Sequence, residues 1–89
     1  LHATMGLLLI KEGHLEEGKK YYNKAAQLAR NNANLFNLVN QKKYLEIANY
    51  FINTNNNEEA LKHLHKGLRF KTAANYYRNM IKLLLKEVQ

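Results

Sequence analysis

Residues 44–67 read YLEIANYFINTNNNEEALKHLHKG, and this stretch decides the fold. Tyr44, Ile47, Ala48 and Phe51 recur at steps of three, one and three, which places all four on one face of a helix. Thr54-Asn55-Asn56-Asn57 interrupts the pattern, and asparagine favours turns because it accepts left-handed backbone and bonds its own main chain. Glu58 and Glu59 follow, suited to the positive end of a new helix, with Asn56 or Asn57 as its cap. Ala60, Leu61, Leu64, Gly67 and Leu68 then resume the helical spacing, to about Arg69. Two helices joined by so short a turn must lie antiparallel.

Working back toward the N-terminus, the same arrangement recurs at a displacement of 42 residues. Glu16-Glu17 answers Glu58-Glu59, Lys20 answers Lys62 and Lys24 answers Lys66. Small residues answer small ones: Gly6 with Ala48, Gly18 with Ala60, Ala25 with Gly67, spaced 12 and then 7 in both copies. Met5, Leu9, Tyr22 and Leu28 stand where Ile47, Phe51, Leu64 and Phe70 stand in the second copy. Mid-helix glycine costs about 0.5–1 kcal/mol relative to alanine. Its use here points to helices that touch closely at those positions. The first copy predicts helices over 2–11, with Met5, Leu8 and Leu9 on one side, and over 15–30, separated by Gly13-His14. The second predicts a helix over about 33–53 before the one that ends near Arg69, and Thr72 is placed to cap a fifth, from Ala73 to about Glu87.

The pattern resembles a tetratricopeptide repeat, whose signature is W-x2-L-G-x2-Y, then A-x3-F, then a small residue and proline. Met5-Gly6-x-x-Leu9 stands for L-G-x2-Y, Gly18-x-x-x-Tyr22 for A-x3-F, Ala25 for the small residue and Gly13 for the usual turn. In the second copy Tyr44-x-x-Ile47-Ala48-x-x-Phe51, Ala60-x-x-x-Leu64 and Gly67 play these parts. The resemblance covers residues 2–70 and departs from the signature in three ways. Arg30 and Thr72 replace the proline, Asn55 replaces the second turn's glycine, and the spacing is 42 where about 34 is usual. A spacing of 42 also falls in the range of HEAT and armadillo repeats. The added residues, Ala33 to Asn40, read ANLFNLVN. Leu35, Phe36, Leu38 and Val39 are too apolar for a solvated loop, so they read as two more turns at the start of the third helix, or as a short separate helix.

The resemblance implies an all-α fold of five helices in antiparallel hairpins, stacked as a right-handed superhelix. It implies one domain over residues 1–89, with repeats at about 2–32 and 33–71 and a solvating helix at about 73–87. It also implies a scaffold without catalytic activity that holds a protein or peptide on its concave face. Carried onto this chain, the contact residues are Leu7, Ile10, Lys11, Leu45, Asn49, Ile52 and Asn53, with Ala3 beside them and the fifth helix adding Tyr76 and Met80. Leu7, Ile10, Leu45 and Ile52 lie off the packing stripe and would present apolar surface to a partner. The lysine–asparagine clamp that some members use for C-terminal carboxylates is missing, since Ala3, Leu7 and Glu46 occupy its places.

Composition narrows the alternatives. Eighty-nine residues make one domain at most. The chain starts at Leu1, which fits a piece of a longer protein. There is no cysteine, which excludes disulfides and thiolate metal sites and fits a reducing, cytoplasmic compartment. No apolar run approaches the roughly 20 residues a membrane span requires. With no serine and no aspartate, a Ser/His/Asp triad is impossible, and the paired glutamates are explained by helix dipoles. No glycine-rich phosphate loop is present, so no cofactor is expected. His63 and His65 lie about 200° apart around a helix and cannot share a metal ion. The charge of +7 with 13 asparagines fits either a biased genome or an acidic partner. A basic stripe of Lys20, Lys24, Lys62, Lys66 and Arg69 falls on the second helix of each hairpin. With Tyr22 committed to packing, that stripe reads as a solvated face and a nucleic-acid partner is not expected. RNA binding and self-association through the exposed repeat ends stand as the alternatives to peptide binding.

Overall fold

A computed structural model describes all 89 residues. Five helices follow in order: α1 (His2–Lys11), α2 (Leu15–Leu28), α3 (Ala33–Asn53), α4 (Asn57–Leu68) and α5 (Tyr76–Val88). There are no strands. The chain thus has the expected all-α fold of antiparallel helix hairpins, α1 with α2 and α3 with α4, closed by α5.

The two hairpin turns are the same structure repeated. Gly13 and Asn55, 42 positions apart, are the chain's two residues with positive φ, at 92° and 61°. In the first turn the Gly13 and His14 amides donate to Ile10 and Leu9 carbonyls; in the second, Asn55 and Asn56 amides donate to Ile52 and Phe51. This paired bonding closes a helix end through one left-handed residue. Each turn leads into a helix opened by two glutamates. Asn56 caps α4, its side chain accepting from the Glu59 amide at 3.3 Å.

α1 and α2 cross where they are thinnest. A Cβ on Gly6 would lie 2.9 Å from the Gly18 carbonyl oxygen, and one on Gly18 would lie 2.9 Å from that of Gly6. The close approach seats the Tyr22 ring under α1. Ile10, Tyr22 and Ile47 form one buried cluster; Leu45, Ala48, Leu64 and Ile81 form the other.

α3 is one continuous helix of 21 residues, capped by Asn32, so the added ANLFNLVN segment does extend it by two turns. It is also the centre of the molecule. It packs against each of the other four helices, whereas the backbones of α1 and α5, and those of α2 and α4, do not approach one another closely. Two clefts result, on opposite faces of α3.

Several expectations need correcting. Met5, Leu8 and Leu28 are exposed rather than packed, because the α1–α2 contact runs through Gly6, Ile10, Gly18 and Tyr22. Thr72 does not cap the fifth helix, which begins three residues later than expected, at Tyr76, after Asn75. Residues between α4 and α5 are instead held by the extension of α3. Asn34 Oδ1 accepts from the Ala73 amide at 2.7 Å, Asn37 Nδ2 donates to the Lys71 carbonyl at 2.8 Å, and Gln41 Nε2 donates to the Phe70 carbonyl at 3.0 Å. Positions 34, 37 and 41 share one helix face, so three successive side chains dock one segment of backbone.

Candidate functional site

The first cleft runs along α3 between α1 and α5 and has two parts. One part, with a volume of about 230 Å³, is mostly apolar: Ala3, Thr4 and Leu7 of α1, Leu38, Val39 and Lys42 of α3, Tyr77 of α5, with Tyr22 beneath. The other, of about 620 Å³, is mostly polar: Ile10 and Lys11 from α1, then Glu46, Asn49, Tyr50, Asn53 and Thr54. Early α1 residues meet early α3 residues and late ones meet late ones, so the two helices run side by side in the same direction.

An ion pair bridges the two parts. Lys42 Nζ donates to Glu46 Oε2, one helical turn away on α3. Glu46 is only 8% exposed, and Lys42 stands 5.1 Å from the centre of the Tyr77 ring. Burial, followed by the charge of Glu46 and the nearby Tyr77, pushes the Tyr22 hydroxyl far above its ordinary pKa. At neutral pH the cleft floor therefore carries a neutral phenol beside a paired carboxylate. This arrangement can hold an apolar side chain at one end and bond main-chain or side-chain amides at the other.

The structure brings together five of the seven expected contact residues. Leu7 lies in the apolar part; Ile10, Lys11, Asn49 and Asn53 lie in the polar part. Ile10, however, is 1% exposed and serves as wall rather than contact surface. Leu45 is 0% exposed and faces Leu64 and Ile81, so it belongs to the core and not to the cleft. Ile52 is half-buried and lines neither part. The reason is register. The stripe of α3 that faces the cleft is Val39, Lys42, Glu46, Asn49 and Asn53, and Leu45 and Ile52 lie about 100° around the helix from Glu46 and Asn53. On α5 the contact passes from Tyr76, which is 67% exposed, to Tyr77, while Met80 packs on the core.

Leu38, Val39, Lys42, Glu46 and Tyr77 are cleft residues that the sequence reading missed. Two signals were available: the apolar residues of the extension and the four-residue spacing of Lys42 and Glu46, which marks a helix-surface ion pair.

Residues 1–32 match the family model described as tetratricopeptide repeat. No curated protein and no solved structure matches the chain.

Proposed function

Taking as premise that its first hairpin is a tetratricopeptide repeat, a module that generally mediates protein–protein interaction, we propose that this chain is a non-catalytic scaffold element that holds a segment of another protein in the α1–α3–α5 cleft. The observation that carries the reading is the composition of that cleft. Leu7, Leu38, Val39 and Tyr77 offer an apolar seat of a size for one large side chain. Asn49 and Asn53, one turn apart, offer amides to the backbone that continues past it. The partner is then an extended peptide with an apolar anchor followed by a polar stretch, and Lys11 favours an acidic one. The absence of cysteine fits a cytoplasmic setting for this binding.

A peptide-display library selected on the protein tests the proposal. Selected peptides should share one apolar anchor, should bind Leu7→Asp and Asn49→Ala variants at least about tenfold more weakly, and should lose only a modest share of their affinity between low and moderate salt. Retention of full affinity by both variants would send the binding site elsewhere.

A further inference from the structure

The second cleft lies on the opposite face of α3, between α2 and α4. Its floor carries a row of rings, Phe51, His63, Tyr44 and Phe70, with successive centroid distances of 5.4, 6.1 and 5.9 Å. Two ammonium groups stand over Tyr44, that of Lys43 at 4.6 Å and that of Lys66 at 6.0 Å from its centre. Lys43 is only 8% exposed. Its Nζ donates to Asn23 Oδ1 of α2 at 3.0 Å and meets no carboxylate. Burial, then the like charges of Lys19 and Lys66, hold its pKa below the ordinary lysine value of 10.5. Lys19 precedes Asn23 by one turn of α2 and shares its helix face, and its charge, like that of Lys66, also lowers the pKa of His63, so cations from α2, α3 and α4 face this site.

An ammonium this buried is normally met by an acid, because desolvating it alone is unfavourable. Of the acids at the cleft's end, Glu59 is engaged elsewhere, by Lys62, and Glu16 is held only in an exposed pair with Lys19 itself, a contact weak enough to exchange. With the Asn23 oxygen turned to Lys43, its Nδ2 is left to donate outward. Lys43 and Lys66 are in no ion pair and Lys19 is held only by the exposed Glu16, so together they match a doubly charged oxyanion better than a single carboxylate.

We propose that the α2–α4 cleft is an anion site in which Lys19, Lys43, Lys66 and Asn23 bind a phosphate dianion, free or carried on a polypeptide. It is separate from the peptide cleft and does not depend on it.

NMR titration of the whole chain with inorganic phosphate and with a phosphoserine peptide, against chloride at matched ionic strength, tests this. Saturable shifts should appear at Asn23, Lys43 and His63. Lys43→Met, which keeps the stem and drops the charge, should weaken binding by about tenfold or more. The exposed Lys66→Gln variant serves the same purpose if Lys43→Met does not fold. Tighter binding of the phosphopeptide than of inorganic phosphate assigns the source to a phosphorylated polypeptide, and equal binding assigns it to free phosphate. Shifts no larger than those in chloride overturn the proposal, as does wild-type affinity in both variants. Stronger binding per phosphate to single-stranded RNA, or equal binding of an unphosphorylated acidic peptide, overturns it too.

Discussion

Gly18 sits where α1 and α2 cross, and a Cβ there would come within 2.5 Å of Ile10 Cγ1 as well as 2.9 Å of the Gly6 carbonyl. Gly18→Ala should therefore cost about 1–3 kcal/mol, although alanine is the better helix former. At Gly67 the new Cβ would meet the flexible tip of Ile81 at 2.9 Å and Tyr44 Cβ at 3.4 Å. Gly67→Ala should come out near neutral, since a propensity gain of about 0.5–1 kcal/mol offsets the crowding. Urea unfolding of the pair checks this, and equal losses would remove the case for a crossing point at Gly18. Asn55 holds φ at 61° where the first turn uses Gly13, so Asn55→Gly should raise stability by up to about 1 kcal/mol, read as a higher urea midpoint. At His63 the sign follows from the environment. Burial lowers its pKa below 6.5, assisted by Lys66 and Lys19 and opposed by the bond from its Nδ1 to the Glu59 carbonyl at 2.8 Å. The unfolded chain then takes the proton first, so this contribution to stability is present above pH 6.5 and is lost as pH falls toward the folded-state value. Urea midpoints measured from pH 7 down to about 5 should fall for the native chain. They should fall less for His63→Phe, which keeps a ring against Tyr44 and Phe51.

At the scale of elements, the hairpins were legible because α2 and α4 each have one apolar face and each turn carries its own signal in glycine, asparagine and paired glutamates. The 42-residue register survives down to the bonding of Gly13 and Asn55. The cleft-facing stripe of α3 was not legible. A helix that packs against four others carries buried residues around most of its circumference, including Gln41, Lys43, Leu45, Glu46 and Ile47. Periodicity then no longer tells one face from another, and Leu45 was assigned to the wrong one. The start of α5 was missed for a different reason. The groups that hold residues Phe70 to Ala73 come from Asn34, Asn37 and Gln41, distant along the chain. Asn37→Ala should cost about 1 kcal/mol and speed hydrogen exchange of the linker amides ahead of those in α4. Unchanged exchange there would mean the segment is held without that bond.

For the molecule as a whole, α5 is both a cleft wall and a lid on the second core cluster. Ile81 is fully buried, and Tyr77, Met80, Leu84, Leu85 and Val88 pack on Leu45, Ala48 and Leu64. Each large apolar side chain contributes about 1.5–3 kcal/mol when buried, against a total stability of only about 5–15 kcal/mol for a domain. A chain ending at Phe70 should thus lose its cooperative thermal transition, followed by circular dichroism. A sharp melt would show that two hairpins suffice. The central position of α3 has one more consequence. Lys42 and Lys43 are neighbours in sequence, yet one serves the α1–α5 cleft and the other the α2–α4 cleft. Removing a single residue of α3 ahead of Lys42 would turn everything beyond it by about 100°, moving Lys43 to the place of Lys42 and Lys42 to that of Gln41 and spoiling both clefts at once. The same deletion among Lys71 to Asn75 would leave every helix face where it was. α3 should tolerate exchanges of side chain far better than any change of length.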